Sequence, residues 1–414
     1  MTDDATPPPI TEDLERSMRA REGFVMELGR ALHAAGTPAH RLEHTLQLLS
    51  DRLRLTAQFF CTPTTLLAGF GPPERQRVAL ERVEPGDVNL ERLVDIDELA
   101  SDVSAGRMNI TDAHARLRGI TRRADRYPVW LAVLAFAFAS GSAAVFFRGS
   151  MDDVGAALLT GLVIGLICVV APSRPNLARL TDFLCGFVAA AGAFAIAAFD
   201  PRVSPLTVTL SGLIVLVPGL TLTLSVNELT MRQLSSGTAR FMHALTILVA
   251  LGFGVAMGRA IGSQLLPGDA SGPAAPGWML APALCIAPLC FVVLFKARPR
   301  DAPLIFLASL TAFWASRAGA DLLGPELGAS LGAFALGLVA NAHARFAHRP
   351  AAVLTIPGIM LLVPGSVGLR SLSAFMEQDT AGGVATAFSM ILIAVSIVAG
   401  LLLSTATLPP RQPL

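Results

Sequence analysis

The first group of residues able to do chemistry surrounds a break in an apolar run, at Pro218 and Gly219. Proline lacks a backbone N–H and glycine frees the backbone torsions, so a helix is interrupted here. An unwound turn at membrane depth is tolerated only inside protein or a water-filled cavity, which makes the break a candidate binding site. The polar residues that follow it are Thr221, Thr223, Ser225, Asn227 and Glu228.

The same break recurs later in the chain, at Pro364 and Gly365, where Ser366 follows. The two Pro-Gly pairs lie 146 positions apart, and this offset also superimposes most of the apolar runs. Further matches at the same offset are Pro205 with Ala351 and Gly237 with Gly383. A duplicated unit with broken helices in corresponding places is typical of secondary transporters, whose site lies between the repeats.

Glu228 is the candidate for proton coupling, and two orientations of its side chain are considered. It either points into water at the inner end of its span, or it turns inward. Burial of a carboxylate costs roughly 2.5–3.5 kcal/mol at mid-bilayer, which favours the protonated form and suits proton handling or ammonium binding. The offset of 146 places Ala374 at the matching position, so proton handling is expected to be asymmetric. Asp182 and His243 are weaker candidates, expected to be interfacial or satisfied residues.

A second group that could do chemistry lies near the N-terminus and consists of His40, Arg41, Glu43 and His44. Two histidines four residues apart share one helix face, and the order His-x-x-Glu-His occurs in one class of metallopeptidases. A catalytic zinc needs a third ligand, and neither His33 nor His114 has a supporting motif. The alternative is that Arg41 and Glu43 form salt bridges that pack this domain or dock it. No metal or other cofactor is therefore expected.

The composition is that of a membrane protein with a polar N-terminal domain. Of 414 residues, 53% are hydrophobic and 15% are charged, and the charges concentrate in the first 127 positions. The net charge of +1 gives no basic surface for nucleic acid. The first residues lack the features of a signal peptide, so the N-terminal domain is expected in the cytosol. The five cysteines show no paired or metal-ligand spacing and are interpreted as reduced packing residues.

Residues 1–127 have the periodicities of a small α/β domain. A helix over 10–35 is followed by a second helix, with Thr37 as its N-cap and Pro38 at its first helical position. Three short strands then predict an antiparallel sheet. The predicted strands cover 56–62, 64–70 and 76–83, and two further helices cover 89–105 and 111–126.

Ten membrane spans are expected after this domain, because the apolar runs approach the ~20 residues needed to cross. They cover 128–147, 151–171, 181–199, 205–226, 241–261, 276–295, 303–316, 324–339, 351–368 and 384–403. Alternate loops carry two to four Lys or Arg, and the remaining loops carry one each, which places both termini in the cytosol. Each half, 128–273 and 274–414, holds five spans, so the second half is inverted.

Several of these residues together resemble the threonine/serine exporter family of bacterial membrane proteins. They are the stretch Gly36 to Glu43, the stretch Asn89 to Met108, and the breaks Val217-Pro218-Gly219 and Val363-Pro364-Gly365. The resemblance runs from about Glu12 to about Leu403. It implies a proton-driven exporter, working by antiport, that moves threonine and serine out across the bacterial cytoplasmic membrane. It also implies a hydrophilic N-terminal domain before about ten spans.

A small zwitterion fits the expected site. The helix after each break offers free amide donors to a carboxylate, and the helix before it offers carbonyls to an ammonium. The predicted substrate-binding residues are Pro218, Gly219, Thr221, Thr223, Asn227, Pro364, Gly365 and Ser366. The expected partners are the amino-acid substrate, protons and the lipid bilayer. The sequence does not decide whether the chain forms an oligomer. The competing hypothesis is a membrane-anchored, metal-dependent hydrolase that uses the N-terminal domain.

The sequence therefore predicts a polytopic α-helical membrane protein with ten transmembrane helices. These form two inverted five-helix repeats with broken helices, preceded by a small cytosolic α/β domain.

Overall fold

The computed structural model describes residues 12–84, 86–264, 272–347, 349–362, 367, 374 and 380–410. The chain divides into two compact units, one up to Ala124 and one from Asp125. The predicted domain boundary at 127 lies three residues beyond the first unit.

The N-terminal unit combines four helices with a three-stranded sheet. The elements are α1 (Glu12–Ala34), α2 (Ala39–Arg52), β1 (Ala57–Thr62), β2 (Thr65–Phe70), β3 (Arg77–Arg82), α3 (Leu90–Ser104) and α4 (Ile110–Arg122). The strands are antiparallel in the order β1-β2-β3, and Thr62 pairs with Thr65 across the first turn. Phe24, Leu46, Leu66 and Leu99 are fully buried, so the core lies between the helices and the sheet.

Asparagine caps start two of these helices. Asn89 accepts a hydrogen bond from the amide of Arg92, and Asn109 accepts one from the amide of Asp112. The predicted cap at Thr37 is wrong. Pro38 is extended, with ψ of 149°, and α2 begins after it, so Thr37 lies one residue too early. Its buried hydroxyl has no hydrogen-bond partner.

The second unit is built from helices. They are α5 (Val129–Phe146), α6 (Met151–Val170), α7 (Pro175–Ala178), α8 (Thr181–Phe199), α9 (Pro205–Gly212), α10 (Gly219–Thr230), α11 (Leu234–Gly262), α12 (Leu280–Leu294), α13 (Ala302–Leu323), α14 (Pro325–Ala347), α15 (Ala352–Ile359) and α16 (Thr380–Thr407). Within the described part of the chain, seven helices are long and apolar enough to cross a membrane: α5, α6, α8, α11, α12, α14 and α16.

Large apolar side chains on these helices face outward, among them Leu159, Phe253 and Phe388. A soluble protein rarely exposes so much contiguous apolar surface, whereas lipid tails cover it. The second unit is therefore a polytopic helical membrane domain.

Several helices extend beyond the apolar runs that predicted them. α13 continues to Leu323 although Arg317 and Asp321 end its apolar run, because charged residues do not stop a helix. α14 continues to Ala347 and α11 begins at Leu234 for the same reason. The predicted bounds 303–316, 324–339 and 241–261 were too narrow.

The two halves of the membrane domain repeat the same packing. α8 packs closely on α11, and α14 packs closely on α16. A Cβ added at Gly254 would lie 2.2 Å from the carbonyl oxygen of Phe183, and one added at Gly400 would lie 2.2 Å from that of Ser330. Gly254 and Gly400 are 146 positions apart. α9 packs on α6 and α8 as α15 packs on α13 and α14, and α5 packs on α12 to join the halves.

A buried carboxylate ties the second helix of each half to the start of the broken helix. Asp153 accepts a hydrogen bond from the backbone amide of Ser204 at 2.6 Å. In the other half Asp301 accepts one from the guanidinium of Arg349, also at 2.6 Å. The position that corresponds to Ser204 is Pro350, which has no N–H, so an arginine side chain replaces the backbone donor.

Candidate functional site

The first predicted break is present, between the end of α9 at Gly212 and the start of α10 at Gly219. The chain turns tightly there: the amides of Leu216 and Val217 donate to the carbonyl of Leu213, and the amide of Gly219 donates to that of Val217. The new helix begins when Leu222 donates to the carbonyl of Pro218. Two half-helices therefore meet end to end around six irregular residues.

Both halves of the membrane domain enclose this break. Val215 packs on Ala135 and Ala139 of α5 and on Cys290 of α12, the first helices of the two halves. The flanking residues Leu213, Val217 and Leu222 belong to an apolar cluster that includes Met390 of α16. The break is thus buried in protein, as irregular backbone at membrane depth requires.

The second break is the other half of the predicted site. Pro364, Gly365 and Ser366 lie outside the described residues. Their neighbour Val367 is described, and it packs against the cluster that contains Leu213, Val217 and Leu222. The structure therefore places a residue next to the second predicted break against the apolar cluster that flanks the first.

The polar residues after the first break differ in what they contact. Thr223 donates to the carbonyl of Gly219 at 3.0 Å, and Ser225 donates to that of Leu222 at 2.7 Å; both side chains are buried. Such bonds to the preceding turn satisfy hydroxyls inside helices. Thr221 and Asn227 are only partly buried. In this conformation Thr223 and Ser225 serve their own helix.

Glu228 turns inward and is fully buried. The guanidinium of Arg240 binds its carboxylate through both oxygens, with Nε at 3.1 Å and Nη2 at 3.2 Å, and the hydroxyl of Ser236 donates at 2.9 Å. The pair joins α10 to α11. A bidentate arginine is the strongest partner available to a buried carboxylate.

Sequence reasoning missed Arg240 and Ser236 as partners. The predicted span begins at Phe241, which leaves Arg240 in a loop. α11 begins seven residues earlier, at Leu234, and therefore contains Arg240. The available signal was the spacing: Ser236 and Arg240 are four residues apart and share one helix face. The weaker proton candidates are also brought together, since Asp182 at the start of α8 interacts electrostatically with His243 of α11.

In the N-terminal unit, Glu43 is engaged with the backbone. Its Oε1 accepts a hydrogen bond from the amide of Cys61 at 2.7 Å, which ties α2 to β1. His33 bonds the carbonyl of Thr62 through Nε2 at 3.0 Å, and His44 is exposed. Across the described ranges, no group of three or more His, Cys, Asp or Glu residues could hold a metal ion. Glu43 thus holds α2, the helix that also carries His40 and Arg41, against β1.

Burial perturbs two groups in this unit. It raises the pKa of the Cys61 thiol to about 12, so this cysteine is an inert packing residue. It also raises the pKa of Asp97 to about 7, against a smaller lowering by the charge of Arg41. An acidic group that titrates near neutrality therefore lies beside the predicted Arg41 motif.

Two family profiles match most of the chain between them. A family profile described as threonine/serine exporter matches residues 23–262, and a second profile with the same description matches residues 282–407. No solved structure matches the chain.

The curated relatives are fungal proteins named pheromone-regulated membrane protein 10. The Yarrowia lipolytica protein is 27% identical over 84% of this chain and 30% of its own length. The Kluyveromyces lactis protein is 25% identical over 94% of this chain and 44% of its own length. The Saccharomyces cerevisiae protein is 24% identical over 94% of this chain and 54% of its own length. The chain thus spans about a third to a half of these relatives.

Proposed function

The chain belongs to the threonine/serine exporter family, and from this we propose that it exports small hydroxylated amino acids through a site at its broken helices. The observation that carries the proposal is the break at Pro218 and Gly219, which residues from both halves of the membrane domain enclose. A packing helix has no need of an interruption at this depth, whereas a transporter uses one to bind its solute.

We propose further that the halves are inverted repeats of five spans each. The support is the recurrence of the same helix packing, and of Gly254 and Gly400 at one offset. With both termini in the cytosol, this arrangement lets one half move against the other around a fixed site, which is the usual basis of alternating access.

The chemistry of the break suits a zwitterion. The first amides of α10, those of Leu220 and Thr221, have no partner within their helix, and they lie at its positive end. They would receive the substrate carboxylate. The last carbonyls of α9, around Gly212, would receive the ammonium. Thr221, which is partly buried, and Ser366 remain the proposed partners of the substrate hydroxyl, and the partly buried Asn227 remains a proposed substrate-binding residue.

Glu228 remains our proposal for the proton-coupling residue, now with a stated partner. Protonation of the carboxylate would remove half of the ion pair and release Arg240. A proton would thereby loosen α10 from α11 and change the geometry of the break. Glu228 lies near the C-terminal end of α10, and the break lies at the N-terminal end of the same helix. Movement of this one half-helix would therefore couple the release of Arg240 to a change at the break.

Flux of labelled threonine into and out of proteoliposomes tests the proposal. We expect a pH gradient to accelerate the flux, and Pro218→Ala and Gly219→Leu to abolish it. Gly155→Leu is the matched control, since Gly155 is exposed on α6 and has open space around it. Normal flux in the Pro218 and Gly219 variants, or no flux in the natural chain, would refute the proposal.

A further inference from the structure

Two buried serine hydroxyls beside the broken helices have no hydrogen-bond partner among the residues that the structure describes. They belong to Ser211, in the last turn of α9, and Ser309, in α13, and both residues are fully buried. Hydroxyls inside helices normally donate to the preceding turn, as Thr160 and Thr209 do here. A buried polar group without a partner costs free energy, so these two hydroxyls are available to bind a solute.

Ser211 lies at the entrance of the first break and has a second hydroxyl nearby. Ser140 of α5 is fully buried, and its Oγ is 3.5 Å from the carbonyl oxygen of Gly212, too far for a strong bond. Gly161 of α6 makes room for it, because a Cβ there would lie 2.4 Å from the Ser140 Oγ. The first half of the domain thus presents two hydroxyls where α9 ends.

Ser309 holds the corresponding place in the second half. Arg148 and Lys296 end α5 and α12 with the same left-handed turn, at φ of 59° and 52°, so the first two helices of each half correspond at an offset of 148. This offset places Ser309 on Gly161. Both halves therefore have a serine hydroxyl on one of their first two helices. In the first half the first helix supplies it, at Ser140, and in the second half the second helix supplies it, at Ser309.

The serines of the first half correspond to prolines in the second. Pro288, inside α12, corresponds to Ser140 at the offset of 148. Pro357, inside α15, corresponds to Ser211 at the offset of 146. A proline inside a helix cannot donate to the carbonyl four residues earlier. It therefore leaves the carbonyls of Leu284 and Val353 without that bond. The second half offers acceptors where the first half offers hydroxyls.

Ser140 and Pro288 lie on helices that pack together where the halves join. α5 packs on α12, and Ala139, next to Ser140, belongs to one apolar cluster with Cys290, two residues after Pro288. Val215 of the first break lies in the same cluster. A solute at this break would therefore have the hydroxyls of Ser140 and Ser211 beside it.

We propose that Ser140 and Ser211, together with Ser309 at the corresponding place in the second half, form the hydroxyl-recognition part of the substrate site. This inference rests on the proposed function and adds the source of its specificity. A site built to hydrogen-bond a substrate hydroxyl rejects an analogue that lacks it, because its own polar groups are then left unpaired. Threonine is thereby preferred to valine, which has the same shape with a methyl group in place of the hydroxyl.

Competition against labelled threonine in proteoliposomes tests the inference, with unlabelled threonine and unlabelled valine as competitors. We expect Ser211→Ala and Ser309→Ala each to lower the preference for threonine over valine about tenfold, the worth of roughly one hydrogen bond. Neither substitution should lower the unfolding temperature, because neither hydroxyl has a partner to lose. Ser404→Ala is the matched control, since Ser404 is buried but donates to its own helix at Leu401.

The possible failures are distinguishable. If both alanine variants transport threonine and keep the natural preference over valine, the serines only pack, and the inference is overturned while the proposed function stands. If the natural chain transports no threonine, the proposed function itself fails. Ser211→Cys and Ser309→Cys, which keep the size but weaken the hydrogen bond, give a second pair of variants with the same expected loss of preference.

Discussion

Removing one charge from the Glu228–Arg240 pair gives the most informative perturbation of the membrane domain. In Glu228→Gln the Arg240 guanidinium keeps its charge in a site where Glu228 is fully buried and Arg240 is 16% exposed. Breaking a buried pair costs about 3–5 kcal/mol, and partial access of Arg240 to water favours the lower end, about 3 kcal/mol. We expect a fall in unfolding temperature of roughly 6–12 °C.

The double variant, with Arg240→Gln added, separates the pair from its parts. Two amides can hydrogen-bond without an unpaired charge, so the double variant should be less destabilised than the sum of the single variants, by about 2 kcal/mol. The assay is thermal unfolding of the purified chain in detergent. Arg232→Gln, an exposed cation close in sequence, serves as the control and should unfold like the natural chain.

Transport by the same variants tests the proton role. If Glu228 carries the proton, the double variant regains stability but its threonine flux no longer responds to a pH gradient. If Glu228 only clamps α10 to α11, stability and the response return together. Additive destabilisation in the double variant, or no destabilisation in Glu228→Gln, would refute the ion-pair reasoning.

Two further predictions concern packing and pH. Gly254→Ala and Gly400→Ala should each destabilise the chain by about 1–3 kcal/mol, since each new Cβ meets a backbone carbonyl at 2.2 Å, while Gly192→Ala, with open space, should be neutral in thermal unfolding. Burial raises the pKa of Asp97 from 3.8 to about 7, so the folded state holds this proton more tightly and loses stability as pH rises through that interval. Asp97→Asn should remove that fall, and Arg41→Gln should move its upper end to higher pH; equal pH profiles for all three chains would contradict the assignment.

The local features of the fold could be predicted because local chemistry decides them. The break at Pro218 and Gly219 follows from a missing amide donor, and it lies where the sequence placed it. The three strands of the N-terminal unit follow from alternating apolar residues between turns. The seven long apolar helices follow from composition alone.

The site could not be predicted in the same way, because its contacts join residues that are distant in the chain. The partner of Glu228 depends on how α10 folds back on α11, and no periodicity records that turn. The hydroxyl of Thr223 was expected at the substrate, but a hydroxyl inside a helix can instead donate to its own preceding turn. Ser211 and Ser309 were identified only because the folded structure buries their hydroxyls without a hydrogen-bond partner among the described residues.

The central claim is that the two halves of the membrane domain lie in opposite orientations. Phe199 at the end of α8 and Phe346 near the end of α14 lie at the same end of helices that correspond in the proposed repeat, and both are strongly exposed, at 93% and 81%. The measurement is labelling of Phe199→Cys and Phe346→Cys by a membrane-impermeant maleimide, in a cysteine-free chain in intact cells. We predict that Phe199→Cys is labelled from outside and Phe346→Cys only after permeabilisation. Labelling of both from the same side would contradict the inverted repeat and the transport mechanism built on it.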